Sequence, residues 1–354
     1  MKTVRFLLIG AGNVGRRFLE LMTLKRETLR GRLGLDLVLA GVADRSGAAI
    51  CPARAGLVPQ QVVELKLAGR GAGSTPHWGR PGMPALEMVE TGEADLLLEA
   101  SPVNLKDGQP GLACIEAALS RGMNVVTANK APLVLAYPRL MSLARASGVQ
   151  LCFDATVAGG LPAINLGRRD LGMADITRLE GIVNLTANYI LTRMAEDDLS
   201  YDEALALAQA AGHAEADPSL DVEGWDAANK LVILAHSVLN QATTLADVTV
   251  QGITGLSVET LRQAMAEGKR VKLVATAERR EDSSQYRLVV GPAWLEAGHP
   301  LAQLGAEQMG IVYYTDVCGI ISAAIVEETP MPTAVAMLRD VLAIYGAQAA
   351  EGAR

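Results

Sequence analysis

Near the start of the chain an apolar run from Val4 to Ile9 breaks at Gly10-Ala11-Gly12-Asn13-Val14-Gly15, and apolar residues then recur at helical spacing as far as Met22. A strand that turns through G-x-G-x-x-G into a helix opens a parallel βαβ unit with a nucleotide-binding turn. Gly10 permits the tight turn, Gly12 lets the backbone approach a pyrophosphate, and Gly15 allows the helix to pack close on the strand. The phosphates then rest on the helix N-terminus at Asn13 and Val14, where unpaired N–H groups and the helix dipole favour negative charge.

A second strand, Leu35 to Ala43, runs into Asp44-Arg45. An acidic residue at this strand end receives the adenosine ribose hydroxyls, whereas a neighbouring arginine pairs with a 2′-phosphate. Both are present, so the residues leave NAD and NADP open. Lys66, on the amphipathic segment VVELKLAG, reads as a solvated helix residue, the other reading being added positive charge near that phosphate.

Strand and helix keep alternating. Ala94 to Ala100 reads as a strand ending at Ser101-Pro102-Val103-Asn104, Pro110 to Arg121 as a helix, and Met123 to Thr127 as a strand ending at Ala128-Asn129-Lys130. A helix over Leu135 to Ser147 and a strand over Gln150 to Asp154 complete a Rossmann-type α/β domain, a doubly wound parallel sheet spanning residues 1–153. Ligands of such sheets sit outside the carboxyl ends of the strands, which places Ser101 and Lys130 beside a nicotinamide.

From residue 154 to 330 the alternation ends. A strand over Ile176 to Asn184, helices over Ala187 to Met194, Tyr201 to Ala211 and Val258 to Ala266, and strand-like segments at Val271 to Glu278, Tyr286 to Val290, Ile311 to Val317 and Ile320 to Val326 describe an α+β domain. Its expected roles are catalysis and dimerisation. After Pro330 and Pro332, a helix over residues 331–354 returns to the first domain, its end from Gly346 onward frayed.

With 354 residues, half of them hydrophobic, the chain can bury two cores. A net charge of −7 without a Lys/Arg run argues against nucleic-acid or anionic-membrane partners. No apolar stretch approaches a membrane span, and no leader precedes the first strand. Four scattered cysteines without a CxxC pair point to packed thiols in the cytoplasm, and His77, His213, His236 and His299 lack the spacing of zinc ligands.

The densest chemistry lies between Ala214 and Ala235, AEADPSLDVEGWDAANKLVILA. Asp226 and Lys230, four apart, project from one face of an apolar helix, so a carboxylate and an ammonium meet at one point. Alone, the pair would read as a solvated salt bridge. Glu215 and Asp217 on the loop ahead of that helix, together with the nucleotide signature, suggest a polar substrate held beside a cofactor.

Taken in order, GAGNVG, SPVN, VVTANKAPL, DATVAGGLP, GIVNLTANYILTRM and AEADPSLDVEGWDAANKLVILA resemble the homoserine dehydrogenases, with fainter likeness through HPLAQLG and YYTDVCG. The resemblance implies an NAD(P)-dependent oxidoreductase that interconverts L-homoserine and L-aspartate 4-semialdehyde in threonine and methionine biosynthesis, working as a homodimer. No segment resembles an aspartokinase or an ACT domain. It further implies that Glu215 binds the substrate ammonium, that Asp226 orients the reacting hydroxyl, that Gly181 lines the substrate pocket, and that Lys230 with Lys130 carries the proton chemistry. A monovalent cation, Na+ or K+, is implied at Asp154, Val157, Gly159 and Leu161, largely through backbone carbonyls.

Three departures stand out. Asp154 replaces the family's usual Glu, and Leu185 replaces a Gly in the family's GILNGTTNYIL. Where the family has a glycine-rich turn before the last helix, this chain has Val326-Glu327-Glu328-Thr329-Pro330, and two carboxylates near a pyrophosphate would be unfavourable. These changes leave two other readings on the table, a dehydrogenase of the same fold acting on another small amino or hydroxy acid, and a non-catalytic nucleotide sensor. Retention of Glu215, Asp226, Lys230 and Lys130 speaks against the sensor, which has no need of a proton relay.

Overall fold

The computed structural model describes residues 1–281 and 283–351. It divides into two units, Met1–Gly160 with Thr329–Arg354, and Leu161–Glu328.

Among the described residues of the first unit, seven strands form one sheet: β1 (Lys2–Ile9), β2 (Leu35–Asp44), β3 (Gly47–Ile50), β4 (Gly79–Pro81), β5 (Leu96–Glu99), β6 (Asn124–Thr127) and β7 (Leu151–Cys152), in the order β4-β3-β2-β1-β5-β6-β7. Strands β2, β1, β5, β6 and β7 are parallel, whereas β3 and β4 extend the β2 edge in antiparallel fashion. Val4, Phe6, Leu7 and Leu8 are all fully buried, as expected of a strand covered on both faces. From β1 the chain first builds outward through β2, then returns to add β5 on the other side. That reversal between β1 and β5 creates the crevice in which doubly wound sheets bind their ligands.

The helix Asn13–Glu27 covers β1 and packs against the C-terminal helix Met331–Glu351, with Phe18 and Met22 sharing a core with Met337, Val341 and Ile344. Tyr345 fastens that helix to the starts of β5 and β6, its hydroxyl donating to the Asp95 carbonyl at 3.0 Å and accepting from Asn124 Nδ2 at 2.9 Å. Helical backbone therefore continues through Glu351, beyond the point where fraying was expected to begin, and residues 352–354 lie outside the described residues.

A second boundary also differs from the sequence reading. The helix expected from Leu135 begins at Lys130, because Asn129 Oδ1 caps it by accepting from the Ala131 N–H at 3.1 Å. It is kinked at Ala136 (φ −145°, ψ 22°), two residues before Pro138. The apolar periodicity is legible only after that kink.

The six strands described in the second unit are β8 (Ile176–Ile182), β9 (Val248–Val250), β10 (Lys269–Arg279), β11 (Tyr286–Glu296), β12 (Gln308–Thr315) and β13 (Ile320–Val326), in the order β13-β12-β8-β10-β11-β9. All pairings are antiparallel except that of β9 with β11. The helices Leu185–Glu196 and Trp225–Ser237 both pack against β10, and one face of the sheet buries Leu179, Ala275, Ala277, Ile311 and Tyr313. No helix among the described residues is long and apolar enough to cross a membrane.

Candidate active site

In the first unit, the glycine turn is a close-approach device. Gly10 adopts φ +85°, and a β-carbon there would stand 2.2 Å from the Ala100 carbonyl oxygen at the end of β5. A β-carbon on Gly15 would stand 1.9 Å from the Gly10 carbonyl oxygen, so neither position accepts a side chain. Gly12, by contrast, faces open space and precedes a helix whose first turn has no side-chain cap and no acidic residue. The uncapped N–H groups at Asn13, Val14 and Gly15 suit an anion.

At the tip of β2, Asp44 is already engaged. Its Oδ2 accepts from Lys66 Nζ at 2.6 Å and from the Ala72 N–H at 3.2 Å, and its Oδ1 from Ser46 N and Oγ at 2.9 and 2.7 Å. Burial pushes the carboxyl upward, but these donors outweigh it and hold Asp44 below its ordinary pKa. Lys66 is thus the counter-ion of Asp44, not the solvated residue expected from the sequence. Arg45 lies exposed in the turn between β2 and β3.

Glu99, the last residue of β5, carries no role in the sequence reading. It is fully buried; Oε1 accepts from the Ser101 N–H at 2.9 Å and from the Ser101 hydroxyl, while Oε2 accepts from Thr127 Oγ1 at 2.9 Å. Thr127 Oγ1 in turn accepts from the Asn129 N–H at 3.0 Å. One buried carboxyl therefore ties together the ends of β5 and β6, which carry Ser101 and lead into Lys130. Burial raises its pKa against the opposing pull of these donors. A lone acid closing the apolar run Leu96-Leu97-Leu98 was the available signal, since a buried carboxyl requires partners.

In the second unit, β8 ends at Ile182, two residues before Asn184, whose Oδ1 caps the helix Leu185–Glu196 by accepting from the Ala187 N–H at 2.8 Å. Its Nδ2 donates to Asp221 Oδ1 at 2.6 Å and to Asp226 Oδ2 at 2.8 Å. Asp226 Oδ2 also receives Lys230 Nζ at 2.6 Å, and Lys230 donates to the Val183 carbonyl at 2.6 Å. Burial and the neighbouring Asp226 charge push the Asp221 carboxyl up. Four side chains, from a strand end, a short helix (Ser219–Val222) and one long helix, form a single hydrogen-bonded group. Asn184 and Asp221 join the expected pair, and the N-cap position of Asn184 was the sequence signal for it.

Glu215 is not in that group. It is exposed on the loop between the helices Tyr201–Ala210 and Ser219–Val222, where its carbonyl accepts from Gln209 Nε2. Asp217 serves the loop itself by accepting from the Ser219 N–H at 3.1 Å. Gly181 is buried in β8, paired with Ala275 and Ile311. Leu185 opens the helix that Asn184 caps, and Glu327 is buried, its N–H donating to the Glu307 carbonyl at 3.2 Å.

Family models for the homoserine dehydrogenase NAD-binding domain and for homoserine dehydrogenase match residues 10–154 and 162–342. The NAD(+)-dependent homoserine dehydrogenase of Pseudomonas canavaninivorans is 33% identical over 345 residues, 98% of this chain and 97% of that protein. The chain belongs to the homoserine dehydrogenase family. Among solved structures, the homoserine dehydrogenase from Thermoplasma acidophilum matches with TM-score 0.80 and 27% identity over 97% of this chain and 99% of that one. A hyperthermophilic archaeal homoserine dehydrogenase mutant in complex with NADPH matches with TM-score 0.82 and 25% identity, over 97% and 98%. The chain is accordingly an NAD(P)-dependent oxidoreductase of that family.

Of the residues named for a monovalent cation, Asp154 is paired through its side chain with a cation of the chain. Asp154 is buried, and its Oδ2 receives Arg339 Nη2 at 2.6 Å. The same guanidinium nitrogen donates to the Gly160 carbonyl at 3.2 Å. Asp154 O accepts from the Val157 N–H at 3.3 Å, and Leu161 O from the Ala163 N–H at 2.8 Å. Val157 is fully buried, and Gly159 sits at φ +57° beside Ala158 at φ +54° in the same tight turn.

The cofactor end generates a prediction. Arg45, exposed and adjacent to an Asp44 whose charge Lys66 balances, is suited to pair with a 2′-phosphate. Arg45→Ala should then weaken NADP binding by about 1.5 to 3 kcal/mol, the range for hydrogen bonds to charged groups, and leave NAD nearly unchanged. Dissociation constants for both cofactors measure it; equal losses for the two would remove Arg45 from phosphate recognition.

Proposed function

We propose that this protein catalyses the NAD(P)-dependent interconversion of L-homoserine and L-aspartate 4-semialdehyde, serving threonine and methionine biosynthesis. The hydrogen-bonded group Asn184, Asp221, Asp226 and Lys230 carries this reading. When bound, the nicotinamide takes the hydride from, or gives it to, the carbon bearing the reacting oxygen. The glycine turn with Asn13 and Val14 holds the pyrophosphate, Asp44 and Arg45 meet the adenosine ribose end, and Ser101 and Lys130, tied by Glu99, stand at the nicotinamide end.

The remaining chemistry is a proton and three polar substrate groups. Lys230 directs two of its N–H groups to Val183 O and Asp226. The third is available to the reacting oxygen. In the direction of aldehyde reduction, the Lys230 ammonium donates that proton as the alkoxide forms; in the reverse direction the amine accepts it. Asp226 fixes the lysine and orients the hydroxyl, while Asp221 adds a second carboxylate on the other side of the Asn184 amide. Two carboxylates against one lysine favour a cationic substrate, in keeping with an amino acid. Glu215, on its exposed loop, supplies the further carboxylate for the substrate ammonium.

The supposed homodimer has its own support. Strand β13 is the edge of its sheet, and it exposes Ile320 at 62% and Val326 at 52% on alternate positions. An exposed apolar edge strand calls for a cover, and a second copy supplies one. Four cysteines, none in a disulfide, suit the cytoplasm.

Oxidation of homoserine, assayed with both cofactors alongside a panel of small amino and hydroxy acids, tests the reaction; preference for another acid would overturn it. Lys230→Ala should lower turnover by roughly a hundredfold or more while leaving cofactor affinity near wild type. Turnover within a few-fold of wild type would exclude Lys230 from proton transfer. Glu215→Gln keeps shape and removes charge, so KM for homoserine should rise more than kcat falls, and an unchanged KM would reject ammonium binding. For the dimer, sedimentation should give twice the chain mass for the wild type and a shift towards monomer for Ile320→Arg; a monomeric wild type refutes the assembly.

A further inference from the structure

The carboxylate of Glu215 stands exposed and makes no hydrogen bond or ion pair among the described residues, so only the backbone of its loop fixes where it can meet a substrate. We propose, resting on the ammonium-binding role given to Glu215 above, that His213 is its positioning residue, the His213 ring anchoring the loop to the helix Leu185–Glu196 beside Asn184.

Most bonds of this loop are local. The N–H groups of His213 and Ala214 both donate to the Ala208 carbonyl, at 2.8 and 3.2 Å, and Gln209 Nε2 donates to the Glu215 carbonyl at 3.1 Å. Asp217 accepts from the Ser219 N–H at 3.1 Å. These bonds shape the turn, which Gly212 opens at φ +78°, but they tie it only to the two helices it joins. Among the described residues, the hydrogen bonds, ion pairs and ring contacts that reach from the loop to other elements all belong to His213. Its carbonyl accepts from Thr186 Oγ1 at 2.6 Å, its ring centroid lies 4.8 Å from that of Tyr189 at a tilt of 43°, and Nε2 stands 3.6 Å from Glu307 Oε1. Thr186 and Tyr189 are buried residues of the helix that Asn184 caps. All of these residues belong to the same structural unit.

The ring contact, and not the ion pair, carries the anchoring. The Glu307 side chain is 42% exposed, and an ion pair of that exposure at 3.6 Å contributes little. Tyr189 is buried, with the Arg193 guanidinium 5.2 Å from its ring, so it offers a fixed surface on which a second ring gains by tilted contact. Lys230 and Asp226 are held by Val183 and Asn184, bonds in which the loop has no part. Loss of the anchor therefore weakens substrate binding and leaves the proton transfer proposed for Lys230 in place.

The test compares wild type, His213→Ala, His213→Phe and Glu215→Gln, and the double variant His213→Ala with Glu215→Gln, in homoserine oxidation. His213→Ala should raise KM for homoserine severalfold with kcat little changed, and His213→Phe, which keeps a ring on Tyr189, should return KM to near wild type. In the Glu215→Gln background His213→Ala should add nothing further, because the carboxylate it positions is already gone. An unchanged KM in His213→Ala, a failure of His213→Phe to restore it, or full additivity in the double variant would each overturn the proposal. Amide hydrogen exchange of the substrate-free enzyme supplies a second readout: the His213 and Ala214 amides should exchange faster in His213→Ala than in wild type or His213→Phe, and equal rates would refute the anchor. If Glu215→Gln itself leaves KM unchanged, the ammonium reading fails and positioning falls with it, while the exchange rates separately decide whether His213 holds the loop. Should His213→Ala not fold, His213→Gln, which removes the ring and keeps polarity, takes its place.

Discussion

The amide nitrogen of Asn184 stands between two carboxylates, 2.6 Å from Asp221 and 2.8 Å from Asp226. A buried carboxylate and a partly buried one side by side repel, and the molecule answers with one neutral donor between them and one ammonium beside Asp226. The elements of the second unit follow from that bridge. Asn184 must be at a strand end to reach both acids, and must cap the next helix to be held there. Lys230 must be one helical turn from Asp226, and Val183 must offer its carbonyl from the residue preceding Asn184. A buried polar set of this kind is stabilising only when every member has a partner, so each residue constrains the placement of the others.

In the first unit the constraint is backbone proximity. Helix and strand meet at Gly15 and Gly10 so closely that a β-carbon would collide, and β5 presses on Gly10 from the other side. Such contact brings the helix N-terminus to the switch point of the sheet, where its N–H groups suit an anion. Glu99 performs the corresponding task one strand away. Its carboxyl gathers the turns after β5 and β6, so the positions of Ser101 and Lys130 derive from a residue that never reaches the surface.

What could be seen in the sequence followed from periodicity and punctuation. The Rossmann half was legible because β1 is continuously apolar and the glycine turn has a single physical explanation. The Asp226 and Lys230 pair was legible because the helix period puts them on one face. By contrast β3, β4 and β9 were not anticipated: each has only three or four residues, too few for alternation to register. Glu99, Asp221 and Lys66 escaped because their roles depend on partners 22 or more residues away, which no local pattern encodes. Lys272 is the extreme case. It sits in the apolar strand β10, buried, donating to Asn188, Thr192 and the Leu304 carbonyl, and burial draws its pKa down to about 8. Nothing in the run VKLVATA distinguishes it from a solvated lysine.

Asp44, Asp154 and Asp226 each meet a cation of the chain at 2.6 Å, respectively Lys66, Arg339 and Lys230. In the last two the cation also donates to a backbone carbonyl, so the local geometry is nearly the same. The difference lies in the chemistry of the cation. A guanidinium keeps its charge at any working pH and serves where charge must be constant. An amine can give up a proton and take it back, which suits it to the proton transfer proposed for Lys230. Arginine at position 339 and lysine at position 230 are therefore not interchangeable solutions to the same pairing problem, since only an amine can also serve in proton transfer.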